Sequence, residues 1–370
     1  MTAPTIHYQQ DIRIERRRIL AGPARILVRR GQFVTAIDPV VEDLFVARHV
    51  LLDVARGLGV SPERADQLLL EKVGGHVAAG DLLAGPVGLT RRCVRAPSPG
   101  KIVHSDHGQI LLELEEPPHH LKAGLPGEVI ELFSDRGVVI QSSGALVQGV
   151  WGNGHISQGK LRVLLEKPDQ ELTPTAIGTD LAGVILVSGY CENPDVFKIA
   201  VQQSAQGIVL ASMHPALLAP AQASPIPVMI MEGFGRHPLN PSAGDILSAC
   251  EGFTGALNAE PSDRFSAKRP ELVITKTALE PVLARPTSAE PASVEPVVDS
   301  SASPPRSLVF FVPGSKVRLV GTSMLGRSAC LLDLVGEITL PNGLLAAAAT
   351  IQFPDGEIIA VPLGNLELLD

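Results

Sequence analysis

Several groups of residues in this chain have types or spacings that could do chemistry. Gly154-His155-Ile156-Ser157-Gln158-Gly159-Lys160 fits the spacing of a phosphate loop, in which backbone N–H groups and a lysine cradle a phosphate. The next residue is Leu161, where such a loop needs a hydroxyl for magnesium, and Leu161–Leu165 reads as a strand where the loop needs a helix. We read the match as chance. His104 and His107 flank Asp106, and His119-His120 follow two prolines. Imidazoles and a carboxylate can hold zinc or nickel. These spacings match no metal motif, and neighbouring histidines on a strand point to opposite faces. The cysteines, Cys93, Cys191, Cys250 and Cys330, are far apart and form no C-x-x-C pair. That pattern reads as reduced, cytoplasmic and not zinc-binding. No nucleophile elbow is legible. No cofactor and no catalytic residue is expected.

Two polar, glycine-rich stretches are the candidate ligand site. One is Gly149, Trp151, Gly152, Asn153 and Gly154, within a run (137–159) that holds the only tryptophan. The other is Glu232, Gly233, Phe234, Gly235 and Arg236, just past an apolar run. Polar residues beyond the carboxyl end of a strand sit where α/β ligands bind. The two stretches are expected to face each other across a cleft. The structural alternative pairs Glu232 with Arg236, gives the glycines to positive φ and close backbone approach, and makes Trp151 a packing residue.

The elements that must position these residues follow from composition and pattern. With 370 residues, the chain has room for two or three cores. Apolar residues at 45% and charged ones at 19% describe globular domains, and 35 glycines with 31 prolines imply many turns. A net charge of −8 argues against nucleic-acid binding by the chain as a whole. No apolar run approaches the ~18 residues of a membrane span, and the N-terminus has no apolar signal core. Residues 11–30 carry seven arginines against two acids. Ile12, Ile14, Ile26 and Val28 alternate with these charges, as on a half-exposed strand with a solvated face.

A turn–strand–turn–strand phrase recurs. It runs from Gly22 to Val34, from Lys72 to Leu83, from Ala96 to Leu111 and from Leu125 to Ile140. Regular short strands argue for a barrel or sandwich. Between the first two phrases, Ser61-Pro62-Glu63 starts a helix, with Ala65, Leu68 and Leu69 at helical spacing, so a helical insertion is expected over about 49–72. The phrase Gly75–Leu83 followed by Val94–Ile102 resembles the barrel-sandwich hybrid of biotinyl and lipoyl carrier domains. In those carriers a lysine at the hairpin tip takes the cofactor. The corresponding tip here, 85–92, holds Arg91 and Arg92 and no lysine. The resemblance therefore implies the fold without the modified lysine, as in subunits of ion-translocating redox complexes.

Leu181–Val187, Gly207–Leu210 and Ile226–Met231 read as buried strands, with a helix over Asp195–Ser204, a small α/β domain. Its order resembles protease-associated and swivelling domains, which present ligands or partners. The stretch 11–275, through Gly144–Gly152 and Glu232–Gly235, also resembles an unassigned group of bacterial proteins. Some of these accompany or are fused to an actin-like ATPase labelled a glutamate mutase accessory protein. That implies a protein partner and assigns no activity. Residues 280–305 are rich in Pro, Ala, Ser and Glu, as in a disordered linker. The short strands from Pro313 onward look like an SH3-like barrel of the KOW type. KOW modules often bind RNA or RNA polymerase, but three basic residues against six acids from Ser307 argue for a protein partner.

The expected fold is α+β, mainly β and multidomain. It comprises a barrel-sandwich hybrid (11–165), a small α/β domain (166–275), a disordered linker (276–306) and an SH3-like barrel (307–370). The expected function is a non-catalytic binding or scaffold protein with a cleft between the β module and the α/β domain. One alternative is an accessory subunit or enzyme acting at that cleft. Another is RNA or transcription–translation contact through the C-terminal barrel.

Overall fold

The computed structural model describes residues 3–44, 49–115, 120–262, 268–275, 310–320 and 327–369. The expected linker and His119 lie outside them. The fold is mainly β, with several sheets and few helices.

The chain opens with β1 (Thr5–Ile6), β2 (Tyr8–Ile19), β3 (Ala24–Ile26), β4 (Phe33–Val34) and β5 (Pro39–Asp43). It then leaves to build a separate lobe from β6 (His49–Asp53), α1 (Val54–Leu58), α2 (Pro62–Gln67), β7 (His76–Val77), β8 (Leu82–Val87), β9 (Arg92–Arg95), β10 (Gly100–Asp106) and β11 (Gln109–Leu114). It returns through β12 (His120–Lys122), which pairs with β5, and completes the first module with β13 (Gly127–Phe133) and β14 (Gly137–Gln148). The module closes around Ile14, Val34, Val41, Val129 and Ile140. The inserted lobe closes around Val54, Leu58, Leu83, Ile102 and Leu112. No helix or strand of the lobe makes more than marginal contact with an element outside it.

All four repeated phrases become strands, but they pair in nested order. β4 pairs with β13 and β7 with β10, so the outer two phrases form one body and the inner two the other. The same device serves both. A Cβ on Gly127 would lie 2.1 Å from the Gln141 carbonyl oxygen, and one on Gly100 would lie 2.3 Å from that of Glu113. Each glycine lets its strand approach the neighbouring backbone more closely than any side chain allows. The expected helical insertion is thus a whole lobe. His49–Asp53 is a strand paired with β11, and Asp53 ends it by accepting a hydrogen bond from the Arg56 backbone N–H at the start of α1.

The α/β unit follows: β15 (Trp151–Gly152), β16 (Ile156–Leu164), β17 (Val184–Cys191), α3 (Asp195–Gln202), β18 (Gly207–Met213), α4 (Leu218–Gln222), β19 (Val228–Phe234), α5 (Pro241–Ala249), β20 (Thr254–Asn258) and β21 (Glu271–Thr275). β16 to β19 are parallel. Along β17, Ile185 and Val187 point into one core, and Val184 and Leu186 into the other. A strand buried on both faces shows as an unbroken apolar run. α3 and α4 cover one face, and α5 covers the other together with Ile6 and Tyr8. The sheet continues from β20 through β21 into β14 and passes across the expected boundary at residue 165. β16 lies before that boundary in sequence and between β17 and β20 in space.

The C-terminal unit is β22 (Lys316–Leu319), β23 (Ser328–Thr339), β24 (Leu345–Gln352), β25 (Ile358–Pro362) and β26 (Leu366–Leu369). A 3-10 turn at Leu363–Asn365 reverses the chain so that β26 pairs back onto β22. On the other edge of β26 lies β1, parallel, with Thr5 opposite Leu368. The first strand of the chain therefore completes the last sheet. No helix among the described residues is long and apolar enough to cross a membrane.

Candidate functional site

The ten expected ligand residues fall along one sheet edge rather than across a cleft. Trp151 and Gly152 pair antiparallel with Ile230 and Met229 of β19, and Glu232, Gly233 and Phe234 end that same strand. Trp151 meets Phe234 edge-on at 6.0 Å, and both pack on the α3 core. Asn153 is fully engaged. Its Nδ2 donates to the carbonyls of Ala221, Ser224 and Ile226, and its Oδ1 accepts from the Val228 N–H at 3.0 Å. A Cβ on Gly152 would lie 2.3 Å from the Ala259 carbonyl oxygen, and one on Gly149 2.7 Å from that of Ile230. Gly154, Gly233 and Gly235 hold positive φ. Arg236 lies over the Tyr190 ring at 5.1 Å, with Glu171 at 4.0 Å. The expected Glu232–Arg236 pair is not formed. A β-bulge sets both Met231 and Glu232 opposite Ala211, so Glu232 breaks the alternation and turns into the opposite core from Ile230 and Phe234.

There Glu232 meets the C-terminal unit. Its Oε2 accepts from Arg318 of β22 at 2.7 Å, and its Oε1 accepts from the Asn240 N–H at 3.0 Å. Arg318 is 1% exposed. It also donates to Glu367 of β26 at 2.7 Å, to the Tyr8 hydroxyl and to the Met231 carbonyl. Glu367 in turn accepts from Arg269 at 2.7 Å. Asn240 Nδ2 donates to Ser328 Oγ of β23 at 2.8 Å. Arg269, Glu367, Arg318, Glu232, Asn240 and Ser328 thus form one polar seam, two cations against two anions, between the α/β unit and the last sheet. Burial pushes the Glu232 carboxyl above its ordinary range, with Arg318 opposing. Burial also pushes Glu367 upward, but Arg318 and Arg269 together outweigh it and its carboxyl lies low. Burial and the Glu232 charge raise the Tyr8 hydroxyl, which therefore stays protonated and can bond as a neutral group.

Beside the seam is an open cavity of about 520 Å³. Asn240, Pro241 and Ser242 at the start of α5 form one wall. Lys316, Ser328, Cys330 and Gln352 line it from the C-terminal sheet, with Phe353 and Pro354 as the apolar portion. Among the described residues, no carboxylate lines it. No family model and no curated protein matches the chain.

The cavity and the seam were not found from sequence, although three of the seam's four charged members left a trace. Glu232 stands in Met-Glu-Gly, Arg318 in Val-Arg-Leu and Glu367 in Leu-Glu-Leu, each a charge between uncharged neighbours inside a strand. A charge in such a run is either a misplaced surface residue or one of a buried set. The arginine-rich strand shows the same thing. Arg18 of β2 is buried and paired with Glu260, its Nη1 at 2.6 Å and its Nη2 at 2.8 Å, and Arg16 reaches Glu271 at 2.6 Å. Two of the seven arginines of that expected solvated face therefore fasten β2 to the tail of the α/β unit. Of the histidine groups, His107 pairs with its neighbour Asp106 at 2.8 Å, and His120 with Glu42 at 3.5 Å. The strand expected from Leu161 is β16, which starts earlier and already contains Gly159 and Lys160. Burial pushes the Cys191 thiol up to about 11, so it is not a thiolate near neutral pH.

Proposed function

We propose that this is a non-catalytic binding protein, with its ligand cavity at the seam between the α/β unit and the C-terminal sheet. The observation that carries the reading is the 520 Å³ cavity lined from both units. The earlier candidate, Gly149–Gly154 with Glu232–Arg236, is occupied by its own contacts: Asn153 holds a loop, Glu232 holds Arg318, and Trp151 and Phe234 pack on each other. The one carboxylate among those ten residues, Glu232, is thus already held by Arg318 and Asn240. The cavity, with Lys316 and two serines facing an apolar floor, suits a small ligand that has an anionic end and an apolar body. A protein partner is part of the proposal. The resemblance to proteins that accompany an actin-like ATPase supports it, as do the barrel-sandwich, swivelling and KOW-like readings of the three units. Four cysteines that form no disulfide support a cytoplasmic setting.

The test is thermal unfolding of the full chain against a panel of small carboxylates and phosphate monoesters that differ in apolar length. A binder raises Tm with concentration, and Ser242→Trp, which fills the cavity, removes the rise. If no compound on the panel shifts Tm in the parent, or if Ser242→Trp responds like the parent, the cavity is not the site.

A further inference from the structure

The chain carries two exposed apolar tips of opposite charge, and neither has a role in the seam. One is the β8–β9 hairpin of the inserted lobe. Leu89 at its turn is 106% exposed, as bare as a side chain can be. From Leu82 to Ser105 there are four cations (Arg91, Arg92, Arg95, Lys101) and no acid, in a chain of net charge −8. The hairpin is held firmly. α1 packs against both strands, and a Cβ on Gly85 would lie 2.7 Å from the Arg92 carbonyl oxygen. Arg92 also lies against Gly59, the C-cap of α1.

The other tip is the β23–β24 ribbon. β22 pairs with β23 only as far as Cys330, and β25 pairs with β24 only from Ala348 onward. The ribbon beyond, 332–347, has both outer edges unpaired among the described residues. It exposes Leu334, Val335, Leu344 and Leu345, the last two 63% and 65% exposed. Asp333 and Glu337 are its charges, and no lysine or arginine occurs from Ser328 to Asp370. An open, apolar strand edge is a docking template. Acids facing acids disfavour ribbon-to-ribbon pairing.

We propose that the occupant of the ribbon is the β8–β9 tip of a second copy of this chain, with Leu89 among the ribbon leucines and Arg91 and Arg92 facing Asp333 and Glu337. The complementarity is twofold, apolar to apolar and cation to anion. The contact is heterologous. It closes as a pair if each copy gives its tip to the other's ribbon, and otherwise runs on as a chain of copies. This does not depend on the ligand cavity.

Sedimentation velocity of the full chain over a concentration series tests it, at ionic strengths from about 0.05 M to about 0.5 M, which span strong and weak screening. Self-association is expected at low salt and weakens as salt rises. R91E/R92E and D333K/E337K should each weaken it by about tenfold or more, since like charges then meet. Mixing those two variants should restore it, because each supplies the patch that the other lacks. Leu89→Asp should abolish it, with the seam's exchange protection unchanged. A parent chain that is monomeric throughout would overturn the proposal. So would association that survives both reversals, or a mixture no better associated than its parts. Binding of the Leu89 tip to anionic vesicles by a monomeric chain would also overturn it.

Discussion

Replacing Arg318 by methionine should destabilise the attachment of the C-terminal sheet far more than loss of a surface ion pair would. The side chain supplies hydrogen bonds to Glu232 and Glu367, each at 2.7 Å, to Tyr8 at 3.1 Å and to Met231 at 3.2 Å. Without it Glu367 keeps Arg269, but Glu232 keeps only the Asn240 N–H inside a core. Removing one partner of a buried pair costs about 3–5 kcal/mol, most of it from the stranded charge. An exposed pair costs about 0–1 kcal/mol. If the stranded carboxylate dominates, Glu232→Gln added to Arg318→Met should recover about 0.5–3 kcal/mol, the usual size of coupling between residues in contact. The assay is hydrogen exchange at Leu366–Leu369 in the full chain, read beside the fluorescence of Trp151. That tryptophan sits in the α/β unit, so it reports whether that unit stays intact while the sheet comes away. A loss below about 1 kcal/mol for Arg318→Met would refute the reasoning. So would a double variant no more stable than the single.

Further outcomes follow from other contacts. Glu260 and Glu367 both titrate below the ordinary glutamate value of 4.5. For each, burial acts upward and is outweighed, by Arg18 and Asn258 for Glu260 and by Arg318 and Arg269 for Glu367. A depressed folded pKa gives stability that is present above the unfolded value and lost as pH falls through the folded one. Tm should therefore fall as pH drops below 4.5, and the fall should be shallower in Arg18→Met. Glu232, displaced the other way, offsets part of it. Gly152→Ala places a methyl group 2.3 Å from a backbone oxygen and should cost about 1–3 kcal/mol in urea unfolding. Deleting residues 1–6 removes β1 and the fully buried Ile6, a loss of about 1.5–3 kcal/mol, and should raise exchange at Leu366–Leu369 specifically.

Local structure was legible where side-chain pattern alone decides it. The four turn–strand phrases, the apolar run of β17 and the helix of Asp195–Gln202 lie within a few residues of where periodicity puts them. What escaped is the pairing between distant segments. Nothing near Gly22 states that β4 will find β13 past an inserted lobe, because nested and sequential pairings share the same strand pattern. Nor does Met-Thr-Ala-Pro-Thr-Ile declare that Ile6 will join a core with α5 while its strand edges β26. The expected cleft and the Glu232–Arg236 pair failed for a related reason. Glycine and asparagine in a run signal tight backbone approach, and that approach here serves packing. A buried arginine such as Arg318 becomes recognisable only once its carboxylates are beside it in space.

The central claim is that the C-terminal sheet is seated on the α/β unit through the Arg318 seam and strand β1, with the cavity between them. The most direct measurement places a protease site at residue 290, cuts the folded chain, and asks by gel filtration whether the two pieces part. The account predicts that the pieces co-elute as one species and separate in Arg318→Glu. Pieces that part freely when the parent chain is cut would contradict it.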